Sequence, residues 1–302
     1  MNPGVSRPPI AKDYDLFIAV CQFPWDLSAL RSLPDWRRRC RHAVCWLEEL
    51  WPSQVKDLGG FLKVLSEFDH VIVNGVGGHE ELKSLLSNSC HYQAPGVDAI
   101  RFCPYPDPAP RSVHVYNIGR RSPAIHKALL EQADRERLLY IYDTINTHGP
   151  KQTDDYLTHR NLLANIAKRS RYFPVNAAKI NRQMETAGSE EFGFRFFEGA
   201  AAGSVMFGVA PETDAFRSYF DWPDAVIPVP YDSPDIVGIL HELDRQSERL
   251  ARIRRDNVVN SLLRHDWLHR WRTVLDTAGL EPTPAFHRRE TLLRQLAEMA
   301  DT

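Results

Sequence analysis

The feature that most constrains this chain is an alternation of short apolar runs with amphipathic stretches. Asp15–Cys21 (DLFIAVC), Ala43–Leu47 (AVCWL) and Val71–Asn74 (VIVN) read as buried strands, and Gly60–Phe68 and Glu80–Leu86 read as helices between and after them. The pattern resumes with strand-like segments at Val113–Ile118, Leu138–Tyr142, Tyr172–Val175, Val205–Val209 and Ala225–Val229. Helices are expected over Pro123–Gln132, Asp155–Ile166, Phe194–Ala202 and Ser233–Arg254, then from Val258 to the end with a break near Glu281-Pro282-Thr283-Pro284. Apolar strands interleaved with amphipathic helices predict parallel sheets covered by helices, the α/β class.

A chain of 302 residues is long for one domain and comfortable for two. Pro104–Pro110 (PYPDPAP) places four prolines in seven residues, which fits neither a helix nor a central strand and marks a stiff junction. The division expected is a loose leader over 1–13, a short Rossmann-like lobe over 14–104, a fuller one over 105–280 and a helical tail over 281–302. Three or four strands before the junction make the first lobe an abbreviated one.

Charge and cysteine usage exclude several classes. A formal net charge of −2 gives no basic footprint for nucleic acid or an anionic membrane. The run Arg37-Arg38-Arg39 is short, lies among acidic residues and reads as a solvated helix face. Five cysteines, Cys21, Cys40, Cys45, Cys90 and Cys103, have neither C-x-x-C nor zinc-ligand spacing. Cys21, Cys45 and Cys103 lie in or beside apolar stretches, where a free thiol behaves as a small hydrophobe, and that usage suits a reducing cytoplasm, the location expected. The first residues lack the apolar core of a signal peptide, and no run approaches the ~20 apolar residues of a membrane span.

The segment richest in chemistry is Glu190–Gly203, EEFGFRFFEGAAAG. Gly193 permits a close-approach turn into a helix, and the N-terminus of that helix presents unpaired N–H groups and a positive dipole end to an anion. Glu198 then stands about 7–8 Å along the axis at ~1.5 Å per residue, so Glu190 and Glu198 reach different parts of one ligand. The small residues Gly199, Ala200, Ala201, Ala202 and Gly203 let the helix approach the sheet. A second segment, Val113–Ile118 followed by Gly119-Arg120-Arg121, puts a glycine at a strand end and arginines at the mouth of the next helix. The donor fork of arginine suits phosphate oxygens.

Glu190–Gly203 resembles the E-x7-E motif of retaining GT-B glycosyltransferases of the family 4 type, over fourteen positions. Ala94–Pro104 (APGVDAIRFCP) is similar to that family's text at the crossing between lobes, the Gly119-Arg120 pair follows, and Val226–Val237 (VIPVPYDSPDIV) resembles its strand and acidic loop, all in the family's order. The resemblance implies two Rossmann-like lobes facing a cleft and transfer of a sugar from a nucleotide-diphosphate sugar to an unidentified acceptor. It further implies retention of configuration, with neither metal nor other cofactor. Glu190 would take a catalytic place beside the donor sugar and Glu198 would accept from the ribose hydroxyls. Backbone amides of Phe192, Gly193 and Phe194 would approach sugar and diphosphate, with Arg120 on the phosphates. The family's lysine, five residues after that arginine, is replaced here by Ile125, and Arg121 and Lys127 are the nearest substitutes.

Gly75-Val76-Gly77-Gly78-His79 follows a strand of the first lobe, where such loops face the donor sugar in these enzymes, which makes His79 a second catalytic candidate against a plain turn. Glu48 and Glu49, past another strand, are weaker candidates. His265-Asp266-x-x-His269 has the i, i+4 spacing of a zinc pair but lacks the glutamate of H-E-x-x-H, so it reads as a helix face with Trp267 and Trp271. Asp13-Tyr14-Asp15 spells D-x-D before the first strand and reads as accidental. Because the first lobe is short, a partner subunit could complete the acceptor side. Two other readings stay open: a non-catalytic GT-B-like module that scaffolds or activates a partner enzyme, and a GT-B-fold nucleotide-sugar epimerase.

Overall fold

A computed structural model describes residues 10–135, 137–143 and 155–302. Most of the expected leader, residues 1–9, lies outside the described residues. The chain forms two compact units. One comprises residues 1–95, 178–191 and 270–283; the other comprises residues 96–177, 192–269 and 284–302.

The first unit holds a parallel four-stranded sheet in the order β1 (Tyr14–Cys21), β2 (Cys40–Leu47), β3 (His70–Val73) and β4 (Ser89–Tyr92). Its core gathers Ala43, Cys45 and Leu47 from β2 and Val71 and Val73 from β3 with Leu27, Leu65 and Leu82. β4 reads SCHY, with no apolar run to announce it.

The second unit holds β5 (Val113–Asn117), β6 (Tyr140–Tyr142), β7 (Ser170–Asn176), β8 (Val205–Val209) and β9 (Ile227–Pro228). They form a parallel sheet in the order β6-β5-β7-β8-β9. Counted within the unit this is 2-1-3-4-5, the doubly wound order, and it reverses between β5 and β7. Loops leaving neighbouring strands to opposite faces at such a reversal open a crevice at their carboxyl ends, where ligands of α/β sheets bind. The first sheet runs 1-2-3-4 and has no reversal.

Helices cover the second sheet with Ile125 and Leu129 from Pro123–Asp134, Ile236, Leu240 and Leu243 from Ile236–Asp244, and Leu250 and Ile253 from Ser247–Asn260. The single helix expected over 233–254 is therefore two, separated at Arg245-Gln246. The helix Phe194–Ala201 lies close to its sheet because Gly199 carries no side chain. A Cβ there would stand 2.9 Å from Met206 Sδ and from Phe173 Cδ1. Gly203, with φ +62°, ends this helix. Its amide donates to Ala200 O and the Ser204 amide to Gly199 O, the paired bonds of a Schellman motif.

Asp98 and Ala99, which precede the proline-rich junction, are fastened within the second unit by Asp266 and Arg289, the Asp266 side chain being fully buried. Its carboxylate accepts from the Ala99 amide at 2.9 Å and the Leu268 amide at 2.9 Å, the second as N-cap of the helix Trp267–Ala278. It also receives Arg289 Nε at 2.8 Å and Nη2 at 2.7 Å, from the helix Pro284–Asp301. Arg289 Nη2 bonds Asp98 as well, at 2.8 Å. The His265 ring, immediately before, packs 5.0 Å from the centroids of Phe197 and Phe220 within an aromatic cluster. His269 Nε2 lies 3.2 Å from Leu262 O. The neighbouring residue Asp266 is thus the one that organises this segment. Asp266→Ala is expected to destabilise the protein by about 3 kcal/mol, because two backbone amides lose their acceptor and Arg289 keeps only Asp98. Urea unfolding of the variant against the wild type checks it.

Candidate functional site

The crevice of the second unit begins at the end of β5. Gly119 sits at φ +89°, a left-handed conformation that costs glycine nothing. Its amide donates to both Asp143 oxygens, at 3.1 Å each. Arg121 joins the same carboxylate, with Nη1 2.6 Å from Oδ1, and its guanidinium lies 5.3 Å over the Tyr142 ring. Tyr231 donates its hydroxyl to Arg121 O at 3.1 Å. Arg121 is thereby occupied. Arg120, beside it, is exposed. Ser122 caps the next helix, accepting from the Ile125 amide at 3.3 Å. Ile125, an uncharged side chain, points into the core. Lys127 lies further along the same helix and is exposed.

The helix Phe194–Ala201 starts from Gly193, whose backbone is extended and which offers no capping side chain. The first-turn amides of this helix have no side-chain acceptor at the cap, the state in which a helix terminus favours an anion. Phe192 is buried against Phe216, Phe220 and Phe197, so its ring anchors the turn, while Phe194 is partly exposed with its ring 6.2 Å from Trp267.

Glu198, one turn on, is only 1% exposed and sits between two arginines. Arg160 Nη1, from the helix Tyr156–Lys168, reaches Oε1 at 2.5 Å, and Arg195 Nη1 bonds Oε2. Arg160 also lies 5.2 Å over the Phe102 ring. Burial pushes the Glu198 carboxyl up, but Arg195 and Arg160 outweigh it and hold the group below the usual range. The Tyr116 hydroxyl is pushed up to about 12, by burial first, with Arg195 opposing and Asp143 and Glu198 reinforcing. These charges therefore share one neighbourhood at the end of β5. Sequence reasoning brought out Gly119, Arg120, Arg121 and Glu198, and missed Arg160, Arg195 and Asp143. Arg195 had one legible signal, its i, i+3 spacing from Glu198; Arg160 and Asp143 come from distant positions and had none.

In the first unit the two adjacent glutamates part company. Glu190 is exposed, whereas Glu191 is buried and caps the helix Val76–Lys83. It accepts from the Gly77 amide at 2.8 Å, the Val76 amide at 3.0 Å and Ser189 Oγ at 2.8 Å. Burial raises its pKa against these three bonds. The Gly75–Gly78 stretch is the tight start of that helix: a Cβ on Gly78 would fall 2.1 Å from Leu50 O. His79 is buried there, its Nε2 3.3 Å from Cys90 O and its Nδ1 3.2 Å from Glu80 Oε1. Glu48 follows β2 with its pKa raised by burial, and Glu49 pairs with Lys179 at 3.1 Å.

Residues 120–276 match the model of a family described as glycosyl transferase-like, just over half of the sequence. The chain belongs to that family. The two parallel sheets fit its expected pair of Rossmann-like lobes, the first of them small. A search among curated proteins finds no match. Among solved structures the chain is similar to an α,α-trehalose-phosphate synthase (UDP-forming) from Burkholderia vietnamiensis. The two are 12% identical, with a TM-score of 0.47 over 90% of this chain and 70% of that one. Among the described residues no helix is long and apolar enough to cross a membrane.

Two outcomes follow from the carboxylates. Glu191→Ala should cost about 1–3 kcal/mol, since it leaves the Val76 and Gly77 amides without their acceptor; thermal or chemical unfolding reads this directly. Folding lowers the Glu198 pKa, so its contribution to stability is complete above the ordinary glutamate value of about 4.3 and is lost as pH falls through the depressed one. The stability gap between wild type and Glu198→Gln should accordingly narrow on acidification, as followed by denaturation at a series of pH values.

Proposed function

We propose that this chain is a glycosyltransferase that binds a nucleotide-diphosphate sugar on its second unit and transfers the sugar to an acceptor. The observation that carries the reading is the coincidence, at the one strand-order reversal among the described residues, of the Gly119-Arg120 turn and the uncapped start of the Phe194 helix. A diphosphate brought there meets an exposed guanidinium and oriented amides, and both favour the charge that grows on the leaving group as the glycosidic bond breaks. In this reading the arginines and the helix terminus do the work that a divalent cation does in other transferases. By the family 4 resemblance the reaction retains configuration. By the same resemblance Glu190 takes the catalytic role, and the amides of Phe192, Gly193 and Phe194 contact sugar and phosphate. His79 receives no step in this reading, because its ring is buried with Nε2 against Cys90 O. The first unit takes the acceptor, alone or with a partner subunit.

The small first sheet favours a second reading, a glycosyltransferase-like module that activates a partner enzyme rather than acting itself. Donor hydrolysis or transfer by the purified chain alone separates the two. Specificity for base and sugar is read from a thermal-shift panel of UDP, GDP, ADP and TDP with their sugars. Arg120→Ala should weaken diphosphate binding by about 1.5–3 kcal/mol, the range of a hydrogen bond to a charged group. Glu190→Ala should lower turnover more than nucleotide affinity. Unchanged titration calorimetry for the first variant removes Arg120 from the site, and parallel losses in the second remove the catalytic role.

A further inference from the structure

We infer that Arg195 and Arg160, held by the buried Glu198, form the second half of the diphosphate site, and that Glu198 positions them instead of binding the ribose. The inference rests on the nucleotide-sugar reading above and adds residues to it.

Three observations lead there. The position where the resembling family carries its second cation holds Ile125, which faces the core. The substitute nearest in sequence, Arg121, is neutralised by Asp143 and pinned by Tyr142 and Tyr231. Arg195 stands beside the Gly119-Arg120 turn, its Nε 3.9 Å from the point a Cβ on Gly119 would occupy. Its side chain thus runs beside the Gly119-Arg120 turn, at the open start of its own helix.

The charge count points the same way. Two guanidinium groups share one carboxylate, which leaves one positive charge uncompensated within the pair. Each arginine spends one nitrogen on Glu198 and keeps further donors of its fork. Both side chains remain about a third exposed, at 34% and 37%, while the carboxylate is 1% exposed. A group so enclosed, with a guanidinium on each oxygen, presents its arginines outward and keeps its own oxygens within. The ligand class is therefore a diphosphate, gripped by Arg195 and Arg160 on one side and Arg120 on the other. Glu198 fixes the two guanidinium groups before the ligand arrives, which lowers the ordering cost of binding.

The test is calorimetry on the intact chain with inorganic pyrophosphate, with UDP, GDP, ADP and TDP, and with the parent nucleosides by saturation-transfer NMR. Arg195→Gln and Arg160→Gln should each weaken pyrophosphate and the preferred nucleoside diphosphate by roughly ten- to a hundredfold, with nucleoside binding unchanged. Arg195→Lys should recover part of the loss. Glu198→Gln should show the same selective loss; a parallel fall in nucleoside affinity makes it a ribose ligand and overturns its positioning role. Should Glu198→Gln fail to fold, the arginine variants, altered at partly exposed side chains, still decide the clamp. Wild-type affinity for diphosphates in both arginine variants overturns it and leaves the transferase reading standing. A wild type that binds pyrophosphate, loses it in Arg195→Gln and ignores every nucleotide keeps the clamp and ends the nucleotide-sugar reading. Binding of neither probe ends both.

Discussion

The second unit depends on a single constraint, the reversal of strand order between β5 and β7. A parallel sheet wound in one direction leaves its connections on one side; reversing the order sends neighbouring loops apart and opens a crevice without any special side chain. What makes that crevice chemical is the chain leaving β5. Gly119 turns at φ +89°, its amide and Arg121 are set by Asp143, and the following helix is capped by Ser122 from within. The backbone is thus fixed by groups that are themselves satisfied, and the exposed Arg120 is delivered by a turn with little freedom left. The first sheet, in simple order, has no such device.

Adjacent residues of similar chemistry can have opposite tasks, and Glu190-Glu191 shows how burial divides them. Glu191 is removed from water, and part of its cost is offset by two helix-terminal amides and the Ser189 hydroxyl. Those amides belong to the glycine-rich stretch expected from sequence to face a ligand. Here an internal carboxylate takes the place an external anion would have, and the helix terminus is spent on folding. The Phe194 helix of the second unit is the counterpart with no internal acid at its cap. The same elementary feature therefore serves structure in one unit and stays available to a ligand in the other.

The sequence was most legible where periodicity and backbone chemistry speak locally. β8 falls where its apolar run is, and the Phe194 helix starts at the residue after Gly193 because a glycine there permits the entry turn. The closeness of that helix to its sheet was legible in Gly199 and its alanine neighbours. β4 was not, since SCHY carries no apolar pattern and gains its place only by pairing with β3. The break at Arg245-Gln246 was hidden because helix-forming residues lie on both sides. Within the site, Gly119 and Arg120 were visible as a local pair. Arg160 and Asp143 were not, because an ion pair between residues 38 positions apart leaves no trace in spacing.

Glu198 shows what a buried carboxylate asks of its neighbours. An isolated buried carboxylate is expensive, and the cost is recovered only when its partners are close and well directed. Two arginines meet that demand with more charge than the carboxylate needs, so the assembly as a whole is cationic although its centre is an acid. A lysine in the same crevice would bring a mobile point charge; a guanidinium locked on a buried oxygen brings a planar fork whose orientation is already chosen. Ile125 faces the core, and Arg195, inside the motif itself, pairs with Glu198. In the proposed clamp the helix after Gly193 supplies the cation, and Glu198 is what holds it there.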